Sequence, residues 1–403
     1  MNKKNIFYWC LYDFANSIVM VAFLFYFSQW LVIENSKPDW WYNAILIISS
    51  FIFIIFAPII SRRIDRDHKK INGLRIFTFI TFILYLITAL ITIFTPDLVL
   101  LAGILFTLAF SLYLLSFLFY TPMINDISNK DNISFVSGLG QGANFIGQVF
   151  GLLFSIPFAT GFIHIFDVSN RVQTLLPATL LFGILTLPML FKYKEDININ
   201  LIGNNILPLF TTFKKIFSIR NLSFLFIAYF LFSDALLTFS NNFPIFLERV
   251  YNASDSMKAY LSIVILLLSS IGSVIFGRIA TRKGNKWTLN LILVIWLFIF
   301  PMIAFAPTFR FAVVIMMFGG LLFGASFGIS RAMVSQFTPR EIEASSFSFY
   351  IITERFATFI GPIVWSITLA STASMGNISY SYAILSLGFL ILISIFVLRK
   401  VKV

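Results

Sequence analysis

One aspartate near the start of the chain stands in a segment that is otherwise apolar. Asp13 belongs to the stretch LYDFANS, and Asn16 and Ser17 follow it on the same face of a helix. A charged side chain inside a membrane helix costs about 2.5–3.5 kcal/mol, so such residues usually face a water-filled cavity or a partner. We expect these three residues to bind a solute or an ion. The alternative is that Asp13 lies only about 9 Å into its helix and either snorkels to the membrane surface or pairs with a loop cation.

A second aspartate repeats this pattern in the other half of the chain. Asp234 lies about 18 Å into its apolar segment by helical rise, and Thr238 and Asn241 continue its helix face. A carboxylate that is removed from water binds a proton more readily, as a site of proton exchange must. We therefore predict a substrate or proton site at Asp234, Thr238 and Asn241. The alternative is a hydrogen bond that only fixes helix packing.

An adjacent pair of opposite charges interrupts a third apolar segment. Glu354 and Arg355 are neighbours in sequence, so on a helix they point about 100° apart and need not pair with each other. Arg355 could hold a substrate carboxylate through two parallel hydrogen bonds. The alternative is a buried charge network with Asp234 or Asp13.

A glycine-rich segment, GLGQGANFIGQVFG at residues 138–151, carries a polar stripe. Gln141, Asn144 and Gln148 recur at helical spacing. The opening letters fit the dinucleotide fingerprint, but that motif needs a preceding strand and a βαβ unit, so we reject a nucleotide site. The glycines suit close helix packing instead. We predict that the stripe binds substrate or ion, with interhelical hydrogen bonding as the alternative.

The composition shows which solvent surrounds these polar residues. Of the 403 residues, 59% are hydrophobic and only 11% are charged, whereas soluble proteins average about 25% charged residues. A membrane span takes roughly 20 apolar residues, and the chain has about twelve such windows. They lie near residues 7–32, 41–60, 74–94, 98–122, 135–162, 173–191, 222–247, 258–276, 288–306, 309–332, 347–370 and 379–398. The first window is too long for a cleaved signal peptide, so we expect it to stay as a span.

The basic residues predict how these spans are oriented. With the N-terminus placed inside, 23 of the 29 Lys and Arg residues fall on the inner side and five on the outer side. Cytoplasmic loops carry such an excess. We therefore expect an integral protein of a bacterial inner (plasma) membrane, with both termini in the cytoplasm.

Three pairs of segments indicate an internal repeat. SRRIDRDHKK (61–70) matches GRIATRKGNK (277–286), FIGQ (145–148) matches FIGP (359–362), and LYDFA matches FSDAL, each in the same order. A duplicated six-span unit follows, with the substrate site near the bilayer midplane. The predicted fold is an all-α membrane protein of about twelve helices in two pseudo-symmetric six-helix bundles. The predicted domains are residues 1–192 and 222–403, joined by a linker at 193–221 that either contains an interfacial helix or is disordered.

The charged loops suggest a gate at the inner ends of the spans. We expect Asp65 to accept hydrogen bonds from basic groups of its own loop or a helix end, and to break them as the halves move. We assign gating to Asp65 and Arg66, and extend it to Asp126 and Arg331. The alternative is ordinary inward-facing positive charge without a gating role.

The same segments resemble a known family. The basic loop SRRIDRDHKK is similar to the loop after span two in the major facilitator superfamily, although Ser61 and His68 replace its glycines. LYDFANS, YTPMINDIS, YFLFSDALLTF and SFSFYIITERFATFIGP resemble hallmarks of the vacuole effluxer family within that superfamily. Eukaryotic members are associated with amino-acid export from the vacuole. The resemblance implies a bacterial-type secondary transporter with the major facilitator fold.

Several classes of function are excluded or not expected. One cysteine and two histidines in different loops give no disulfide and no metal cluster. The chain has no phosphate-binding loop of the ATPase type and no nucleophile elbow. We expect no enzyme, no cofactor, no metal and no nucleic-acid partner.

The prediction is a secondary active transporter that moves a small polar solute by alternating access, with an amino acid favoured and a proton as the coupling ion. The alternatives are a sodium- or proton-coupled sugar-type symporter, and a non-transporting sensor or assembly protein. The expected partners are the solute, a proton or sodium ion and the lipid bilayer. The oligomeric state is unknown from sequence, with a monomer favoured.

Overall fold

The computed structural model describes residues 3–37, 39–195, 208–357 and 360–402. Within these ranges every regular element is helical. Long apolar segments form helices in lipid because only a helix satisfies all of its own backbone hydrogen bonds there. Many large apolar side chains are exposed, among them Phe79, Leu100 and Phe298 at 61%, 63% and 65%. Exposed apolar surface on this scale fits a protein whose outer face contacts lipid.

The helices of the first half of the sequence run from α1 to α7. Their bounds are α1 Lys3–Ala22, α2 Asp39–Asp67, α3 Ile71–Phe94, α4 Val99–Tyr120, α5 Ile124–Ile127, α6 Ile133–Ala159 and α7 Leu175–Lys192. Two π-helical stretches, Phe23–Phe27 and Trp30–Glu34, extend α1.

The helices of the second half run from α8 to α15. Their bounds are α8 Leu209–Ser218, α9 Arg220–Tyr251, α10 Asp255–Lys283, α11 Asn285–Ala304, α12 Phe309–Phe337, α13 Glu343–Phe356, α14 Ile360–Ser371 and α15 Ile378–Arg399. In the described part of the chain, twelve helical segments are long and apolar enough to cross a membrane. This confirms the predicted fold class, with α13 and α14 together forming the eleventh segment.

Contacts divide the chain into two compact units. The first comprises residues 1–128, 143–209 and 340–348, and the second comprises 129–142, 210–339 and 349–403. Each unit therefore receives a short segment from the other half of the sequence, and α6 and α13 contribute to both. The predicted domain boundaries at 192 and 222 stay a prediction. The helix predicted in the linker is present as α8, whereas residues 196–207 of that linker lie outside the described residues.

The backbone supports the internal repeat at one informative position. His68 and Gly284 are 216 residues apart, the same offset as between the two basic loops, and both have positive φ angles, of 47° and 92°. A left-handed conformation is easy for glycine and uncommon for histidine. The first loop therefore keeps the tight turn of the second one without a glycine.

Candidate functional site

In the first unit, Asp13 lies on a buried face of α1. Asp13, Asn16 and Ser17 are only 1–2% exposed. Asn144 Nδ2 donates to Asp13 Oδ1 at 3.0 Å, and Gln148 Nε2 donates to Asn144 Oδ1 at 2.8 Å. The result is a polar chain that runs from the α1 carboxylate to α6. The donor to Asp13 Oδ1 is therefore a neutral amide group of α6 and not a loop cation.

One buried donor beside this chain has no partner among the described residues. Asn16 Nδ2 is enclosed and makes no hydrogen bond of ordinary geometry, although its side chain lies close to the Tyr12 hydroxyl. Ser17 Oγ donates to the Asp13 carbonyl at 2.9 Å. Buried polar groups are nearly always hydrogen-bonded, so an exception needs an explanation. One explanation that fits the position of Asn16 near Asp13 is that a solute or a water molecule binds there.

Two glycines of α6 let it approach α1 closely at this chain. A Cβ atom at Gly147 would lie 2.9 Å from the Cα of Phe14 and from the Cβ of Ser17, and one at Gly151 would lie 2.9 Å from the Cα of Ile18. No real Cβ fits at such distances. The small side chains are therefore needed to bring Asn144 and Gln148 within reach of α1.

The second unit holds Asp234 in a related but different way. Asp234 and Thr238 are each 1% exposed, and the backbone N–H of Gly361 donates to Asp234 Oδ2 at 2.5 Å. Gly361 lies in the first turn of α14, whose N–H groups lack helical partners. Asp234 thus satisfies the start of α14 from a neighbouring helix, while Asn241 is exposed and is not part of this buried group.

The remaining oxygens of this group have no partner within the described residues. They are Asp234 Oδ1 and Thr238 Oγ1, and both are enclosed. A Cβ at Gly361 would overlap with Thr238 Oγ1 and lie 2.8 Å from Asp234 Oδ1. Both oxygens therefore border the same glycine. Such an arrangement suits either a packing hydrogen bond or a proton shared between the two side chains.

These two sites are built from equivalent segments of the repeat. Gly147 of FIGQ lies against Ser17, four residues after Asp13, and Gly361 of FIGP lies against Thr238, four residues after Asp234. The two segments differ in whether the helix is continuous, and this follows from the last residue of each motif. Proline is favoured in the first turn of a helix and not in its interior. Gln148 accordingly lies within the continuous α6, whereas Pro362 lies in the first turn of the separate helix α14.

Glu354 and Arg355 contact each other in the second unit, although adjacent positions need not. Arg355 Nη2 lies 3.7 Å from Glu354 Oε1, and their side chains are 33% and 29% exposed. The sequence did not predict the closer partner of Glu354, the hydroxyl of Tyr229, which donates to its Oε2 at 2.6 Å. Tyr229 stacks on Tyr350 with ring centroids 4.3 Å apart. These two tyrosines fix the position of a carboxylate that is about one third exposed.

Arg331 and Gln141 lie elsewhere in the second unit. Arg331 is 7% exposed and donates to Ser137 twice, from Nε to Oγ at 3.0 Å and from Nη2 to the carbonyl at 2.7 Å. Gln141 packs against Gly328 of α12. The predicted stripe is therefore split, because Asn144 and Gln148 belong to the first unit and Gln141 to the second.

A buried charge network occupies the end of the first unit where α1 begins. Lys70 Nζ lies 2.8 Å from Asp126 Oδ2 and 2.9 Å from Glu343 Oε1, and the Lys70 and Glu343 side chains are only 5% and 3% exposed. Arg340 Nη1 lies 3.3 Å from Asp126 and 3.2 Å from Glu343. Two cations therefore balance two carboxylates. Of these four residues the sequence had suggested only Asp126 for gating.

Asp65 has its partners at a helix start, one of the two places that the sequence suggested, but they are backbone groups and not basic side chains. Asp65 does not accept from a basic group of its loop but from the backbone N–H groups of Ala344 and Ser345, at 2.6 and 3.0 Å. These groups lie in the first turn of α13, where N–H groups lack helical partners. Arg66 pairs with its exposed neighbour Asp67. Asp65 therefore binds a helix start, and a negative charge is favourable there.

A second carboxylate occupies the start of α3 in the same way. Glu195 accepts from the backbone N–H groups of Lys70 and Ile71, at 2.6 and 3.2 Å. Burial raises the pKa of Glu195 above its ordinary value, and these two hydrogen bonds oppose that shift. Burial alone would lower the pKa of Lys70, but the attraction of Glu343 and Asp126 outweighs it and raises that pKa. Lys70 therefore stays charged inside the network.

The described residues offer no metal centre, because no group of three or more His, Cys, Asp or Glu side chains is close enough together to hold a metal ion. The polar residues instead form two small buried sites and one charge network. A carboxylate with few partners, enclosed by helices, can exchange a proton or bind a small cationic group. The described part of the chain thus has the groups that a carrier uses.

Comparison with known proteins identifies the fold and the family. Residues 125–403 match the family described as Vacuole effluxer Atg22 like. The uncharacterized MFS-type transporter YxiO of Bacillus subtilis is 24% identical over 397 residues, which cover 94% of this chain and 91% of that protein.

Two solved structures share the fold at low sequence identity. FucP, a major facilitator superfamily transporter in its outward conformation, gives a TM-score of 0.76 at 12% identity, covering 99% of this chain and 98% of FucP. The proton:xylose symporter XylE gives 0.71 at 14% identity, covering 100% and 97%. The chain is an integral membrane transporter with the major facilitator fold, and it is not an enzyme. Because the matching region covers more than half of its length, the chain belongs to the Atg22-like vacuole effluxer family.

Proposed function

We propose that this protein is a secondary active transporter that moves a small polar solute, an amino acid, by alternating access and couples it to protons. The observation that carries the proposal is Asp234. One of its oxygens accepts from Gly361 and the other is enclosed without a partner among the described residues. An uncompensated buried charge is costly. A proton on Oδ1 would remove that charge and supply a donor for Thr238.

Protonation of Asp234 would also weaken its hold on α14. A hydrogen bond to an ionised acceptor is roughly twice as strong as one between neutral groups, so the Gly361 N–H group binds the carboxylate better than the acid. We infer that proton binding loosens the start of α14 from α9. This links a proton to a change in helix packing, which proton-coupled transport requires.

The first unit offers a second candidate for the same role. Asp13, Asn144 and Gln148 form a chain of hydrogen bonds, and Asn16 beside it has a buried donor to spare. A solute carboxylate or hydroxyl would satisfy Asn16. We propose Asp234 as the leading proton carrier and assign Asp13 and Glu354 as the next candidates.

An amino acid suits the charges on α13. Glu354 and Arg355 lie side by side and are about one third exposed, although they belong to a segment that can span the membrane. Charged groups there are expected to face water and not lipid. A zwitterion presents an ammonium group for Glu354 and a carboxylate for Arg355. This assignment distinguishes an amino acid from an uncharged sugar.

We propose that the charge network around Lys70 closes one end of the transport path. Opening that end requires residues 340–348 to leave Lys70, Asp126 and Asp65. The excess of Lys and Arg on the inner side of the spans supports a bacterial inner membrane with both termini in the cytoplasm. With this orientation the network is a cytoplasmic gate. We propose a monomer as the working unit.

Transport into proteoliposomes tests the proposal. A panel of amino acids, sugars and nucleosides would be assayed with and without a pH gradient, and with a sodium gradient. Asp234→Asn should abolish gradient-driven flux, whereas the matched control Asp97→Asn, at an exposed loop position, should keep it. Flux driven by sodium alone, or full flux in folded Asp234→Asn protein, would contradict proton coupling through Asp234.

A further inference from the structure

Seven basic side chains gather at one end of the second unit, where α9 and α11 begin and α15 ends. We call them the basic cluster; they are Lys214, Lys215, Arg220, Lys286, Arg399, Lys400 and Lys402. Most are exposed. They come from segments far apart in sequence, so their grouping is a property of the fold.

Direct contacts join these segments. Arg220 and Lys400 lie over the same ring, that of Phe224, at 5.7 and 5.5 Å from its centroid. Lys286 Nζ donates to the carbonyl of Arg399 at 3.2 Å. Asn221 and Lys402 exchange two hydrogen bonds, at 2.7 and 2.9 Å. The end of α15 is therefore held beside the starts of α9 and α11.

The helix α8 adds its two lysines to the same end. Ser223 Oγ, in the first turn of α9, donates to the Phe217 carbonyl of α8 at 2.7 Å, and the Phe217 ring lies 6.5 Å from that of Phe226. Phe210, on the outer side of α8, is 79% exposed. The helix thus presents both an exposed aromatic ring and cations, as helices do that lie in a membrane interface.

No acidic side chain occurs in the segments that carry the basic cluster. Residues 197–233, 256–340 and 355–403 contain no aspartate or glutamate, and all seven cations lie in them. Like charges gathered at one end of a unit repel one another unless an anion lies among them. The cluster therefore differs from the Lys70 network, in which two carboxylates match two cations.

Apolar surface lies directly beside the cations. Phe224, under Arg220 and Lys400, is partly buried, and Phe396, under the guanidinium of Arg399 at 5.4 Å, is 54% exposed. These rings belong to helices that are apolar enough to cross the membrane. A ligand for this surface needs an anionic group and a long apolar part.

We propose that the basic cluster binds the phosphate of an anionic phospholipid, with Arg220 and Lys400 as its principal ligands. The acyl chains would lie along Phe224 and Phe396. A free phosphate would satisfy the cations but would leave those rings exposed to lipid without a specific partner. A bound anionic lipid would fix the ends of α9 and α15 and hold α8 in the headgroup region.

Native mass spectrometry of the full-length protein, released from nanodiscs of phosphatidylglycerol and phosphatidylcholine, tests this proposal. The wild type should retain phosphatidylglycerol selectively. Arg220→Gln with Lys400→Gln should weaken its retention by roughly 30-fold, since each cation near a membrane surface contributes about 1 kcal/mol and about 1.4 kcal/mol is tenfold.

Two further variants separate charge from folding. Arg249→Gln with Arg310→Gln removes two exposed cations, one from the last turn of α9 and one from the first turn of α12, and should leave retention unchanged. Arg220→Lys with Lys400→Arg keeps both charges and should retain the lipid. Equal retention by the wild type and the glutamine double variant would overturn the proposal, as would stabilisation by inorganic phosphate equal to that by the lipid.

Discussion

Replacing Lys70 by methionine removes the ammonium group that lies between Asp126 and Glu343. Removing one partner of a buried ion pair costs about 3–5 kcal/mol, because the other charge is left buried and uncompensated. Arg340 stays within 3.3 Å of both carboxylates but is 48% exposed, so it compensates only in part. We therefore expect Lys70→Met to lower the free energy of unfolding by about 3 kcal/mol, the lower end of that range.

A matched pair elsewhere in the chain provides the control. Lys258 Nζ lies 2.9 Å from Glu248 Oε2, the distance of the Lys70–Glu343 pair, but the Glu248 side chain is 64% exposed. Exposed ion pairs contribute about 0–1 kcal/mol. The free energy of unfolding would be measured for Lys70→Met and Lys258→Met by titration with a denaturing detergent. Equal losses for the two variants would refute the argument that burial decides the cost.

The pH dependence of this effect follows from the pKa of Lys70. Its pKa is raised above the ordinary value of 10.5, because the attraction of Glu343 and Asp126 outweighs burial. A raised pKa means that the folded state favours the charged lysine, so its contribution is complete below 10.5 and is lost only in more alkaline solution. The contribution of Lys70 in the wild type should therefore be the same in mildly acidic and mildly alkaline buffer. The Lys70→Met variant should lose less stability in acidic buffer, because a proton can neutralise a carboxylate that is left buried without its cation.

Two other substitutions test the sites of the second unit. Gly361→Ala should cost about 1–3 kcal/mol of stability through overpacking, because its Cβ would lie 2.8 Å from Asp234 Oδ1. The control is Gly388→Ala, whose Cβ would meet nothing closer than 3.7 Å. This variant should instead gain up to about 1 kcal/mol of stability from helix propensity. Equal thermal stability of the two variants would contradict the close approach. Tyr229→Phe should cost about 1.5–3 kcal/mol, since it removes a hydrogen bond to a charged acceptor, and should raise the KM for the transported amino acid; an unchanged KM and stability would remove Glu354 from the site.

The sequence predicted the elements well because each prediction depended on local patterns. Apolar length located the twelve spans, and single charges within them marked Asp13 and Asp234 as residues that need a cavity or a partner. The spacing of the repeat also placed Gly147 and Gly361 in equivalent positions, and both do lie against the residue four positions after an aspartate. A buried charge requires a partner, so its existence could be predicted.

The identity of each partner could not be predicted in the same way. Asp65 finds its donors 279 and 280 residues away, in backbone groups that carry no sequence signal. Lys70 pairs with Glu343 at a separation of 273 residues. By residue type alone, many other aspartates and glutamates could have been the partner of Lys70. Tyr229 was hidden because an aromatic residue in an apolar helix is ordinary. Partners of this kind depend on packing, which a single sequence does not reveal.

The assignment of residues 340–348 to the first unit has a consequence for synthesis. Translation delivers the helices from α1 onward, and domains tend to fold as they emerge. Lys70 and Asp65 are synthesised long before the ribosome has made Glu343 and the start of α13. In the nascent first half, Lys70 and Asp65 therefore lack these partners. The first unit reaches its final structure only after residues 340–348 have been synthesised.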